Sequence, residues 1–161
     1  MPEILEFSLN GNFYAIDINY TREIVEPLPI TPIPRTREYI AGMTNIRGEI
    51  TTLISLALII GQQPAAQGSS SQKFIILVSD IARGDKLGLI VDQVYSVYSV
   101  PESSVEYRND DPAVQRNSFI KGVIRLEEEK TGPGERKGSR KLILYLDIDK
   151  VLSHIFELAK R

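Results

Sequence analysis

Tyr39-Ile40-Ala41-Gly42-Met43-Thr44-Asn45-Ile46-Arg47-Gly48 reads as a strand leading into a turn closed by a glycine. Glu49 to Leu56 continues as a second, β-rich strand, and Ala57 to Ile60 as a short helical end stopped by Gly61. Upstream, Pro27, Pro29, Pro32 and Pro34 forbid regular helix. Each lacks an N–H, so this stretch is expected to be extended, at a sheet edge or on the surface. Further back, Leu5-Glu6-Phe7-Ser8-Leu9 alternates apolar and polar, the period of a half-buried strand. Asn10-Gly11-Asn12 is a hairpin turn signal, and Phe13-Tyr14-Ala15-Ile16-Asp17-Ile18 is the return strand. Thr21 to Val25 fits a helical turn or another strand.

Downstream, Gln62 to Gln72 has no core-forming residues and marks the boundary between halves. Lys73 to Val78 is nearly continuous apolar strand, expected to be buried on both faces. Arg83-Gly84-Asp85 is a turn, Leu87 to Val94 a strand, and Tyr95 to Val100 alternates. Phe119 to Leu126 and Leu142 to Ile148 are strands, separated by a loop containing Thr131-Gly132-Pro133-Gly134. The chain ends differently: Val151, Leu152, Ile155, Phe156 and Ala159 form one face of an amphipathic helix. Asp147 or Asp149 can cap it, and Lys160-Arg161 suits the negative end of its dipole.

The halves echo one another. Tyr14 to Val25 resembles Leu87 to Tyr98, Tyr39 to Met43 resembles Phe119 to Val123, and Leu53 to Ile60 resembles Tyr145 to Leu152, in the same order. Two similar units follow, each small enough that a lone core is marginal. Packing them together supplies a third, shared core. Short strands between frequent turns predict small barrels and not a parallel α/β sheet. The expected fold is all-β: two five-stranded barrels packed through a shared hydrophobic core, with a short C-terminal helix. The approximate subdomains are 1–62, the first barrel, and 73–161, the second, within a single domain, joined by a linker at 63–72, with strand exchange between barrels left open.

Chemistry is conspicuously thin. The 161 residues include no cysteine, so disulfides, thiolate metal sites and cysteine nucleophiles are excluded. His154 is the only histidine, which leaves no His/Cys metal motif, and it reads as a surface or boundary residue. Asp147-Ile148-Asp149 and Asn109-Asp110-Asp111-Pro112 read as a helix cap and a turn. Serines 69 to 71 have no nearby base, no phosphate-binding glycine motif opens a helix, and no G-x-S-x-G elbow occurs. A formal net charge of −2 gives no positive field for nucleic acid or anionic lipid. Met1-Pro2-Glu3-Ile4 carries no signal-peptide pattern, and the longest apolar-rich run, Leu53 to Ile60, is too short to span a bilayer. A cytoplasmic protein with no enzymatic activity, no cofactor and no metal is expected. Two other classes remain: a small β-barrel that binds nucleic acid, and a hydrolase on a barrel scaffold.

Gly42-Met43-Thr44-Asn45-Ile46-Arg47-Gly48 resembles the G-x-x-N-[LI]-R-G signature of CheW-type chemotaxis adaptors. Phe13 to Ile18 with Arg22-Glu23-Ile24, Pro32-Ile33-Pro34, Gly88 to Val94, Phe119 to Gly122 and Leu142 to Asp147 fall in that family's order across nearly the whole chain. Thr52 and Ser55 depart from it, standing where proline and aspartate are common, and the loops 62–72 and 127–140 are longer than usual. The resemblance implies two SH3-like barrels and no catalysis. As partners it implies the regulatory domain of a CheA-type histidine kinase and the cytoplasmic tip of chemoreceptors. The chain is then a monomer alone and part of arrays with its partners. An adaptor of pilus motility or gene regulation on the same fold is the alternative.

Arg47 and Glu23 match the family's receptor-linked arginine and its paired glutamate. They either contact the receptor or brace the surface that does. Gly42, Thr44 and Asn45 share that strand and turn, where Gly42 either admits a receptor helix or relieves crowding inside the barrel. Ile18, Thr21, Val91 and Val94 are candidates for a groove between the barrels that receives a receptor helix, with ordinary core as the more common role of the apolar ones. Ile30 and Pro32, in the tract Pro29 to Pro34, and Tyr107 and Arg108, in Tyr107 to Asp110, are candidates for kinase contact.

Overall fold

A computed structural model describes residues 1–63, 72–78, 84–107, 119–127 and 140–159. The serines 69–71, Arg83, Arg108, the stretch 109–112, the loop residues 131–134 and Lys160-Arg161 lie outside the described residues. Two antiparallel strands open the chain, β1 (Glu3–Leu9) and β2 (Asn12–Asp17). Asn10 and Gly11, both at positive φ, make the turn between them. A single 3-10 turn, Ile18–Tyr20, leads to β3 (Thr21–Val25). Next come β4 (Ile40–Ile46), β5 (Glu49–Ser55), α1 (Leu56–Ile59), β6 (Lys73–Leu77) and β7 (Leu87–Val91). After these run β8 (Gln93–Ser99), β9 (Val105–Tyr107), β10 (Ile120–Glu127), β11 (Arg140–Leu146) and the helix α2 (Ile148–Ala159).

The strands form a six-stranded sheet, β8-β1-β2-β11-β10-β9, and a five-stranded sheet, β3-β6-β7-β5-β4. Membership does not follow the division at 63–72. β1 and β2 join β8 to β11, while β6 and β7 join β3 to β5. Strands β3 to β7 therefore build one barrel, and β1 and β2 with β8 to β11 build the other. A parallel pairing joins the two parts of each sheet, β11 on β2 and β5 on β7, and a parallel partner must be supplied from elsewhere in the chain.

The repeat survives in register. Leu53 pairs with Gly88 and its counterpart Tyr145 pairs with Ala15, so the matched sequences occupy matched positions. Both β4–β5 and β10–β11 carry a bulge at the same place, before Gly42 and before Gly122. Strand β9 lies against β10 as the isolated bridge of Thr31 to Met43 lies against β4. His154 packs between the repeat-related rings of Tyr39 and Phe119, with centroids 6.4 and 5.3 Å away.

Three cores result. Ile4, Ala15, Ile124, Ile143 and Tyr145 fill the six-stranded barrel, and Ile46, Leu53, Phe74 and Ile76 fill the five-stranded one. A larger cluster from both sheets, including Phe7, Tyr14, Ile75, Leu89, Leu146, Val151 and Ile155, lies between them. Strand β6 alternates between its barrel core (Phe74, Ile76) and the shared core (Ile75, Leu77), which is why it is apolar from Phe74 to Leu77. The half-buried reading of β1 is corrected for the same reason. Glu6 and Ser8 face into their barrel and are buried, because neither face of a strand between two cores meets water.

Candidate functional site

The β4–β5 turn holds Arg47 and Gly48 at φ +52° and +83°, a pair of left-handed residues that suits a tight hairpin. Asn45 Oδ1 accepts the Gly48 N–H at 2.9 Å, which fixes the turn from its own side chain. From this turn Arg47 Nη2 reaches Glu23 Oε2 on β3 at 3.0 Å. β3 and β4 are opposite edges of the five-stranded sheet, so the ion pair spans the open seam of that barrel. Arg22 Nη1 and Lys86 Nζ both lie 3.4 Å from Glu49 Oε2, a second link between β3 and β5. Exposed pairs contribute only about 0–1 kcal/mol each, so their role here is geometric. The Arg47 side chain remains 78% exposed while that of Glu23 is 19% exposed. The guanidinium is therefore aimed by one contact and presents its other donors to solvent.

Gly42 and Thr44 lie behind this surface. A Cβ on Gly42 would sit 2.3 Å from the Thr31 carbonyl oxygen, so the close approach at this glycine is by the chain's own Ile30–Thr31 segment. Thr44 is buried and its hydroxyl donates to the Pro29 carbonyl at 2.9 Å. Val91 is fully buried in the shared core. Gly42, Thr44 and Val91 are thus buried, a placement that suits shaping the surface above them.

Ile18, Thr21 and Val94 are half-buried. Ile18 and Val94 pack against the shared core at its rim. Ile18 with Val91, and Thr21 with Val94, are repeat equivalents. Thr21 pairs with Leu77 and Val94 with Phe7, so both sit on the sheet face turned to the shared core. The Thr21 hydroxyl oxygen is buried without a hydrogen-bond partner. Sequence reading missed Ile24 and Val97, the next positions on these two edges, which are 43% and 48% exposed. The repeat was the signal that could have found them, since it matches Ile24 to Val97 as it matches Thr21 to Val94.

The kinase candidates also fall at equivalent places. Ile30, half-buried against the five-stranded barrel's core, and exposed Pro32 lie beside the Thr31 bridge to β4. Tyr107, also exposed, lies on β9 against β10. No group of three or more metal-ligating side chains occurs among the described residues. Of the two aspartates read as a cap, Asp147 performs it, accepting the Lys150 N–H at 3.2 Å. Asp149 instead accepts the Tyr20 hydroxyl at 2.8 Å. At the family departures, Ser55 Oγ accepts the Leu58 N–H to cap α1, and the Thr52 N–H donates to the Lys86 carbonyl at 2.9 Å, a bond proline could not make.

Three phenols donate to carboxylates: Tyr20 to Asp149, Tyr98 to Glu6 and Tyr145 to Asp17. Burial raises all three pKa values, and the carboxylate partners raise them further; that of Tyr20 is pushed up to about 12. The folded state thus holds these protons more tightly than the unfolded chain does. Their stabilisation is complete below the unfolded phenol pKa of about 10 and is lost as pH rises through the folded values. Melting temperature is expected to fall from about pH 10 to about pH 12, with phenolate absorbance of the folded protein lagging that of the protein in denaturant. Coincident titration in both states contradicts these bonds.

The chain matches the CheW-like domain family over residues 3–156. It is 27% identical to the chemotaxis protein CheW of Thermotoga maritima, covering 95% of this chain and 89% of that one. To the chemotaxis protein CheW of Treponema pallidum it is 30% identical, covering 94% and 82%. The crystal structure of the scaffolding protein TtCheW from Thermoanaerobacter tengcongensis superposes with a TM-score of 0.69 at 30% identity, covering 92% and 86%. With its two SH3-like barrels, shared core and terminal helix, the chain belongs to the CheW-like domain family.

Proposed function

We propose that this chain is a chemotaxis signalling adaptor that couples chemoreceptors to a CheA-type histidine kinase by binding both, without catalysis, on the cytoplasmic side of the membrane. The observation that carries the reading is the exposed Arg47 guanidinium, aimed across the barrel seam by Glu23. Along the same edge run Ile18, Thr21 and Ile24, two of them apolar. A helical receptor tip can lay an apolar stripe on that edge and offer a carboxylate or carbonyl to Arg47. The kinase regulatory domain, itself a barrel in this reading, meets the segments around Pro32 and Tyr107, which are related by the repeat. Contacts of that repeated kind propagate into rings and arrays.

Co-purification with a kinase regulatory domain and with a receptor tip fragment, separately and together, tests the reading, and binding to neither defeats it. Arg47→Glu is expected to weaken receptor-tip binding about tenfold or more, with kinase affinity unchanged. Adding Glu23→Arg is expected not to restore it, because the guanidinium then stands on the wrong strand. If the exchanged pair recovers wild-type affinity, Arg47 is a brace and not a contact.

A further inference from the structure

The chain passes from the six-stranded to the five-stranded barrel through one 3-10 turn, Ile18–Tyr20, none of whose residues is fully buried. Its N-cap Asp17 makes no side-chain capping bond. A single 3-10 turn of this kind has little stability of its own. Yet it carries Ile18, and it leads directly into Thr21, Glu23 and Ile24.

Both ends of the turn are tied to the far half of the sequence. The Asp17 carboxylate accepts from the Tyr145 hydroxyl on β11 and from Lys121 Nζ on β10, the latter at 3.1 Å. Lys121 Nζ also lies 4.2 Å from the centroid of the Tyr145 ring, so these three residues close on one another. At the other end the Tyr20 hydroxyl donates to Asp149 Oδ2 in the first turn of α2, and the Tyr20 carbonyl accepts the Val78 N–H at 3.0 Å. Asp147 already caps α2, so Asp149 is not needed there.

The chain's second passage between barrels, at Asp92, is held differently. Asp92 N donates to the Ser8 carbonyl at 3.0 Å, and Asp92 Oδ2 accepts from Asn10 N at 2.7 Å; both partners belong to the adjacent β1–β2 hairpin. The passage that enters the strand carrying Glu23 is thus anchored side chain to side chain, whereas the second passage is held through backbone groups of the β1–β2 hairpin.

We infer that Tyr20 and Asp149, together with Asp17, Tyr145 and Lys121, are positioning residues for the receptor-facing edge. They hold Ile18 to Ile24 in place before docking, so that binding does not have to order this segment. The inference rests on the adaptor reading, and names what pre-forms its receptor surface.

Titration calorimetry of the full chain against a receptor tip fragment and against a kinase regulatory domain tests it, with Tyr20→Phe, Asp149→Ala and the double variant. Tyr20→Phe removes one hydroxyl and is expected to weaken receptor binding about threefold to tenfold while kinase affinity stays at the wild-type value. Amides 18–25 are expected to exchange faster with solvent in the same variant. The double variant is expected to be no weaker than either single one, because both substitutions break the same bond. Undiminished receptor affinity, equal losses toward both partners, or additive effects of the two substitutions overturn the inference. Failure of the wild-type chain to bind the receptor fragment overturns the adaptor reading itself, and is seen before any variant is compared.

Discussion

Gly42→Ala lowers the free energy of unfolding by about 3 kcal/mol or more in urea titration. Gly42 sits at φ +150°, where a side chain is strained. Its Cβ would lie 2.3 Å from the Thr31 oxygen and 2.7 Å from Ile30 Cγ2. Thr31 cannot withdraw freely, since it exchanges two backbone hydrogen bonds with Met43, each 2.8 Å long. The repeat supplies an internal control. At Gly122 the added Cβ would lie 2.7 Å from the Glu106 oxygen, but φ there is outside the left-handed region. Gly122→Ala therefore keeps the crowding and loses the backbone strain, and should cost about 1–2 kcal/mol. A Gly42→Ala variant that unfolds at the wild-type midpoint, or later than Gly122→Ala, refutes the close approach of the proline-rich segment.

Lys141→Met is expected to cost about 3–5 kcal/mol, because it strands a charge inside the six-stranded barrel. Glu6 is 3% exposed. Its Oε2 pairs with Lys141 Nζ at 2.6 Å and its Oε1 accepts the Tyr98 hydroxyl at 2.5 Å. Lys141 Nζ also lies 3.9 Å from the centroid of the Phe13 ring, so the ammonium is held by a carboxylate and an aromatic face together. Methionine preserves the length of the side chain and removes the charge. Glu6→Gln added to Lys141→Met leaves an acceptor for Tyr98 without the buried charge, and should recover most of the loss. A single variant that loses less than about 1 kcal/mol, or a double variant no better than the single, contradicts a buried and mutually dependent pair.

The hairpin at Asn10-Gly11, the extended proline tract, the β4–β5 turn, the doubly buried β6 and the amphipathic α2 were all legible, because each rests on local chemistry or a short period. So was the pairing of Arg47 with Glu23, though through family resemblance and not through spacing. β9 was not legible: three residues, Val105 to Tyr107, carry too little pattern to distinguish a strand from a loop. Nor was the burial of Thr44, which depends on what covers it. Glu6 shows the limit most plainly. An alternating polar residue is normally a sign of solvent, but here it points into a barrel where Tyr98 and Lys141, each more than ninety positions away, satisfy it.

By itself the sequence determined most of the strands and turns in their order, the twofold repeat, the need for a shared core, and the absence of cysteine chemistry. Those follow from side-chain periodicity, backbone preferences of glycine and proline, and residue counts, all of which act over a few neighbours. Only the tertiary structure decided which barrel each strand enters, that β3 to β7 make one barrel while β1, β2 and β8 to β11 make the other, and that one edge is anchored to the terminal helix. The physical reason is that backbone hydrogen bonds between strands are chemically alike wherever they form. An alternating strand states that it needs a partner, but the choice of partner is made by burial on both faces at once, which exists only when the whole chain is folded.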